Sequence, residues 1–312
     1  MSAPIARARL PGREAWRRHG FFVAFKWLIL RRLAQVGFLA LFLVGPLFGL
    51  WIVKGTLASS LTLGILPLTD PLFALQALLA RHALDGKALI GAALVLVAYA
   101  VLGGRTYCSW VCPVNLVTDA AHWLRLRLGL SENTVFNRQA RLWILGALLV
   151  VSALTGTVAW EFVNPVTILH RGLVFGALYG LGLAWAVVAA LFLFDLALSA
   201  RGWCGHLCPV GAFYGLIGAK SLIRVKAAQR AACDDCLECY KVCPEPQVIA
   251  PALKGAPRGL GPLIQSGDCT NCGRCIDVCA PRVFRFAARW DRHTDDMPVS
   301  VTPTAGANRQ AA

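Results

Sequence analysis

Eight of the chain's twelve cysteines fall into one pattern written twice. Cys233, Cys236, Cys239 and Cys243 are followed by Pro244; the same spacing returns 36 residues later as Cys269, Cys272, Cys275 and Cys279, with Pro281 one position further on. Three thiols so close in sequence meet at one point only if the chain wraps round whatever they bind. The fourth, beyond a short helical turn, is carried away from its own loop towards the other. Few ligands ask for this arrangement, and the duplication means that two are held.

The C-x2-C-x2-C-x3-C run is the spacing of bacterial ferredoxins, in which four thiolates hold a four-iron, four-sulfide cube. The pattern predicts two [4Fe-4S] clusters, one on Cys233, Cys236, Cys239 and Cys279 and the other on Cys243, Cys269, Cys272 and Cys275. Zinc sites use other spacings, and the duplicated C-x2-C-x2-C-x3-C run is not the pattern of a disulfide framework. The chemistry implied is transfer of single electrons.

The chain as a whole is too apolar for a soluble globule: 57% of the 312 residues are hydrophobic and 15% charged, with a mean hydropathy of +0.60. Uncharged runs long enough to cross a bilayer occupy 34–53, 88–104, 142–160 and 172–194. The apolar stretch 55–80 is broken by Pro67, Asp70 and Pro71 and reads as a surface-lying loop. Lys and Arg number eight before the first run and three, five and one in the loops that follow. This asymmetry places both termini and the second loop in the cytoplasm of a multi-pass inner-membrane protein. Most of the net charge of +15 then reflects topology and contact with anionic lipid, and no motif points to nucleic acid. The expected fold is an α-helical membrane protein with four transmembrane helices and a C-terminal two-[4Fe-4S] ferredoxin domain of α+β type. Its parts are a basic arm (1–33), a membrane domain (34–225), the ferredoxin domain (226–292) and a disordered polar tail (293–312).

The other four cysteines are also a repeat. Cys108, Cys112 and Pro113 recur as Cys204, Cys208 and Pro209, each after an even-numbered span and therefore on the cytoplasmic face. On a helix, residues four apart share a face, so each pair presents two thiols together for a redox or metal-binding role; packing thiols with a proline ending or kinking the helix are the plain alternative. All six histidines, His206 between Cys204 and Cys208 among them, lie outside the four runs, so no pair can ligate an intramembrane haem. Asp70, Glu161 and Asp195 border the runs and could accept protons in a redox reaction, although carboxylates at helix ends are usually just solvated.

With these features in place the chain resembles the NapH family, the membrane ferredoxin-type quinol dehydrogenase components of periplasmic nitrate reductase systems. Beyond the cysteines, the resemblance rests on Gly12-Arg13-Glu14-Ala15, Leu30-Arg31-Arg32-Leu33, Pro67-Leu68-Thr69-Asp70-Pro71, Cys108-Ser109-Trp110-Val111-Cys112-Pro113, Asn164-Pro165-Val166 and Gly202-Trp203-Cys204-Gly205-His206-Leu207-Cys208-Pro209. It implies oxidation of ubiquinol or menaquinol together with NapG, a periplasmic iron-sulfur protein, and delivery of electrons towards nitrate reductase, with a multihaem cytochrome c as a further candidate partner. Relatives of the same plan serve methylamine utilisation, nitrous oxide reduction and metalloenzyme assembly, and are the competing expectations.

Overall fold

A computed structural model describes residues 11–130, 137–175 and 181–295. Two short helices, α1 (Arg13–His19) and α2 (Phe21–Ala24), lead into α3 (Lys26–Phe48). The 23 residues of α3 exceed the roughly 20 that a bilayer core requires, and among the described helices α3 alone is long and apolar enough to cross a membrane. It is shifted towards the N-terminus relative to the expected span 34–53. Its first turns carry Arg31, which is buried in protein, and it stops at Gly49, where a φ of 75° lets the amide close back on Gly45.

Residues 55–80 are not a loop. Strands β1 (Val53–Gly55), β2 (Ser59–Thr62) and β3 (Leu66–Thr69) form an antiparallel sheet in that order, with Ser60 opposite both Gly55 and Leu68. Helix α4 (Pro71–Leu79) follows. The residues that argued against a helix are the signature of its start: Asp70 accepts from the Leu72 amide at 2.9 Å and Pro71 occupies the first turn. Helix α5 (Gly86–Leu102) packs on β3 through Gly91, where a Cβ would lie 3.0 Å from the Pro67 backbone.

Then come α6 (Thr106–Trp110), α7 (Val114–Leu128), α8 (Ala140–Thr155), α9 (Ala159–Val163), α10 (Pro165–Phe175), α11 (Leu181–Ala197) and α12 (Pro209–Gly218). Helices α5, α8 and α11 have 17, 16 and 17 residues, so of the four expected spans one is matched by a helix long enough to cross and three by shorter apolar helices. Helix α8 stops short of 160 because Gly156 turns left-handed at φ 66°, and Trp160 belongs to α9. The run 172–194 divides between the end of α10 and α11, with 176–180 outside the described residues.

The C-terminal module begins with β4 (Ile223–Ala227), slightly before the expected boundary, which falls within this strand. It pairs antiparallel with β5 (Phe284–Ala288), Ile223 opposite Ala288 and Ala227 opposite Phe284. Between them lie α13 (Glu238–Val242), α14 (Ile249–Lys254) and α15 (Arg274–Asp277), over a core that includes Val225, Ile249, Ala252, Val283 and Phe284. The N-terminal arm is fastened to this module. The Gly12 amide donates to Glu238 at 2.9 Å, and the His19 ring to the Ala280 carbonyl at 2.7 Å. Asp277 accepts from the Trp27 and Leu28 amides at 3.1 and 2.9 Å, so the module caps the orphan donors at the start of α3. Of the expected tail, 296–312 lie outside the described residues.

Candidate functional site

The two cysteine loops of the module share backbone conformation as well as spacing. Asp235 and Asn271 have φ of 56° and 45°, and Leu237 and Gly273 have φ of 59° and 72°. Left-handed residues at the same two places curl each loop in the same way, a conformation shared with the backbone nests that receive anionic groups. Gly273 meets a second demand, since a Cβ there would lie 2.5 Å from the Trp27 indole.

Each loop closes over a cavity. Cys233, Cys236, Cys239 and Cys279 wall one, with Leu237 and Tyr240 beside them; Cys243, Cys269, Cys272 and Cys275 wall the other. The crossing has a simple cause: α13 carries Cys239 and hands Cys243 across, and α15 carries Cys275 and leads to Cys279. No three His, Cys, Asp or Glu side chains among the described residues close on a single-ion site. Four thiols held apart round a void suit a cube that fills the middle better than zinc, whose ligand sulfurs all lie about 2.3 Å from one ion. Burial pushes the Cys239 thiol up to about 12 and Cys279 to about 11. At Cys272 burial acts in the same direction, but the Arg274 and Arg31 guanidiniums outweigh it and hold the thiol below its ordinary value.

The C-x-x-x-C-P segments differ from expectation. Cys108 lies on α6 and Cys112 in the turn behind it, while Cys204 lies on a π-helical turn (Trp203–Leu207) with Cys208 just after. Neither pair rides one face of a continuous helix, and the prolines open α7 and α12 instead of ending or kinking a helix. The two pairs nevertheless converge. Arg105, at the start of α6, donates to the Cys204 carbonyl at 2.9 Å, Cys112 and Trp203 pack against the same buried residues, and so do Tyr107 and Cys208. Burial raises all four thiols, and neighbouring members of the set raise Cys112, Cys204 and Cys208 further.

Two buried charge nodes bolt the module to the helices. Glu245, two residues after Cys243, is 1% exposed and pairs with Arg105 at 2.6 Å, Arg141 at 3.3 Å and Arg138; Arg141 also reaches Asp268 at 2.5 Å. Asp119 on α7 pairs with Arg274 at 2.6 Å, Arg201 at 3.5 Å and Arg32. Burial alone would raise both carboxyls, but the guanidiniums hold each below the usual carboxylate range. Between the nodes, the loop of the second cysteine cage sits on the first C-x-x-x-C-P segment. Ser109 donates to the Thr270 carbonyl at 2.8 Å, Trp110 to the Asn271 carbonyl at 3.1 Å, and Asn271 to the Leu102 and Ile223 carbonyls, each at 2.9 Å.

Arg105, Arg141, Arg201 and Arg274 of these nodes are buried in protein, as is Arg31, so these five are not among the arginines available to lipid headgroups. Composition could not separate them from lipid-facing arginines. The available signal was position: Arg105 three residues before Cys108, Arg274 between Cys272 and Cys275, and Glu245 behind Cys243-Pro244. Of the polar groups singled out at the span borders, Asp195 accepts from the Trp203 amide at 3.0 Å, Glu161 from the Asn164 amide group at 3.3 Å, and Asp70 from the Tyr214 hydroxyl at 3.2 Å. His206 sits on the π-helical turn itself.

Two family models match. One, described as a 4Fe-4S binding domain, matches 84–131 and again 181–227, once over each C-x-x-x-C-P segment; the other, a 4Fe-4S dicluster domain, matches 232–283. The methylamine utilization ferredoxin-type protein MauN of Methylorubrum extorquens is 53% identical over 91% of this chain and 96% of its own length. The ferredoxin-type protein NapH of Haemophilus influenzae is 48% identical and that of Escherichia coli 47%, each over 91% of this chain and 97% of its own. No solved structure matches. With such identity along nearly the whole chain, and 4Fe-4S models over both halves of its cysteine set, the protein belongs to the NapH and MauN family of ferredoxin-type 4Fe-4S electron-transfer proteins.

Proposed function

We propose that the chain is the membrane-bound electron-transfer subunit of a quinol dehydrogenase, taking electrons from ubiquinol or menaquinol. They pass, together with a NapG-like periplasmic iron-sulfur partner and a multihaem cytochrome c, towards a periplasmic nitrate reductase. The observation that carries the reading is the docking: the module with its two four-cysteine cages is clamped by buried ion pairs beside the second cage onto the helices whose C-x-x-x-C-P thiols converge. In it, Cys233, Cys236, Cys239 and Cys279 hold one [4Fe-4S] cluster and Cys243, Cys269, Cys272 and Cys275 the other. Bound there, the clusters supply one-electron storage. Cys108, Cys112, Cys204 and Cys208 form a further redox or metal-binding station between quinol and module.

A multi-pass arrangement with the module on the cytoplasmic side is supported by the Lys and Arg asymmetry of the loops and by exposed apolar side chains on the shorter helices. Examples are Ile90 and Val97 on α5, Trp143 and Leu154 on α8, and Trp185 and Leu193 on α11. A second reading, service in methylamine utilisation, is favoured by the somewhat higher identity to the MauN proteins of Methylorubrum extorquens and Paracoccus denitrificans, 53% and 54%. Membranes with and without the chain separate the two. The leading reading predicts that quinol-dependent nitrate reduction is lost with the chain; unchanged nitrate reduction, with methylamine oxidation lost, selects the other.

A further inference from the structure

A cavity of about 950 Å³ runs beside the converging thiols. Its far end is walled by the sheet, through Val53, Thr62 and Leu66, and its near end by the module, through Ile223, Asn271 and Phe286. The long sides are apolar, from Phe38 and Leu41 on α3 to Leu94 and Ala98 on α5. Tyr107, Trp110 and Val111, which flank Cys108 and Cys112, line its inner wall, and Asn271 lies between Cys269 and Cys272.

Its ionisable groups are gathered at one place. Tyr99, Tyr107 and Tyr214 cluster with ring centroids 5.1 to 6.0 Å apart, and the Tyr214 hydroxyl donates to Asp70 at 3.2 Å. Among the described residues no Lys, Arg or His lines the cavity, and Asp70 is its one carboxylate. A phosphate-bearing ligand would therefore find repulsion and no counter-charge, and a haem would find no histidine. A simple acyl chain would use the walls but not the phenols and the carboxylate. A long apolar molecule with a small hydroxylated ring uses both.

We propose that this cavity is the quinol site, the ring seated among Tyr99, Tyr107 and Tyr214 with one hydroxyl donating to Asp70, and the isoprenoid tail lying along Phe38, Leu41, Leu94 and Ala98. The assignment rests on the quinol dehydrogenase reading and gives it a place. Oxidation breaks the two O–H bonds of the quinol and forms two C=O bonds; one proton passes to the Asp70 carboxylate and the other to water, and the two electrons leave singly to the iron-sulfur clusters. Asp70 is suited to that exchange. Burial pushes it up to about 6, against the Leu72 amide and the Tyr214 hydroxyl that pull it down, with Glu161 on α9 adding to the rise. The facing groups from α5, α6 and α12 are the three tyrosines.

The test uses the full chain with its clusters, reduced by dithionite and freed of excess reductant. Two readouts are taken: quenching of the fluorescent quinol analogue heptyl-hydroxyquinoline N-oxide, and reoxidation of the clusters by decylubiquinone, the same step in reverse. Ala98→Trp, which sets an indole in the path of the tail, weakens analogue binding by at least about tenfold. Asp70→Asn keeps binding but slows reoxidation by about 100-fold, while cluster absorbance and reduction by dithionite stay normal. Wild-type binding in Ala98→Trp, or wild-type reoxidation in Asp70→Asn, overturns the site while leaving the quinol reading in place. A wild-type chain that neither binds the analogue nor is reoxidised by the quinone overturns both.

Discussion

Substituting Glu245 by Gln keeps the shape of the docking node and removes its charge. In the native chain this carboxylate is 1% exposed, as is Arg105, its partner at 2.6 Å, and Arg141 at 3.3 Å is 8% exposed. The guanidiniums cannot recover water once the carboxylate is gone, and losing one partner of a buried pair costs about 3 to 5 kcal/mol. Arg138, on the same carboxylate, is 36% exposed, so Arg138→Ala should cost less than about 1 kcal/mol. Hydrogen exchange read by mass spectrometry on the peptides containing Asn271 and Cys108 reports opening of this interface. Glu245→Gln should speed exchange there by at least about 100-fold and Arg138→Ala by no more than about fivefold. The pH dependence has a fixed sign. The arginines outweigh burial and hold Glu245 below its ordinary value of 4.5, so its contribution is complete above that value and is lost only as the pH falls through the lowered one. Equal effects of the two substitutions, or an interface that already loosens between neutral pH and 4.5, would refute the reasoning.

Three further outcomes follow from the same geometry. Gly273→Ala places a Cβ at φ 72° against Trp27 and should cost about 2 kcal/mol or more, seen as earlier thermal bleaching of the iron-sulfur absorbance; Leu237→Gly, at the matching position with φ 59°, should cost nothing or stabilise by up to about 1 kcal/mol. Asp277→Ala removes the cap on α3 and should destabilise the arm by about 1 to 2 kcal/mol, read as faster exchange at the Trp27 and Leu28 amides with the β4–β5 pairing unchanged. Cys108→Ser or Cys204→Ser should abolish electron transfer between quinone and module while both clusters of the module remain visible by EPR; normal transfer would exclude the redox or metal role of these thiols.

The module could be read from sequence because cluster chemistry restricts spacing so tightly that both quartets follow from it, and the structure brings each quartet round one cavity. The duplication even shows in the backbone, at Asp235 with Asn271 and Leu237 with Gly273. Helix ends were less readable. A run without charges does not show where Gly156 will turn left-handed, or that Arg31, buried in protein, and Arg32, paired with Asp119, continue a helix. The sheet at 53–69 escaped because its strands have only three or four residues, too short for alternation to register. Both charge nodes and the cavity are tertiary. Glu245 meets Arg105 across 140 residues and Asp70 meets Tyr214 across 144, distances over which local pattern carries no information.

The most direct test of the account is the iron and acid-labile sulfide content of the anaerobically purified full chain, with the EPR spectrum after reduction. Two module clusters predict no fewer than about eight irons and eight sulfides per chain. They also predict that Cys243→Ser, although it lies in the first run, perturbs the cluster held by Cys269, Cys272 and Cys275. Zinc without sulfide, or a Cys243→Ser chain in which only the cluster of Cys233, Cys236 and Cys239 is altered, would contradict it.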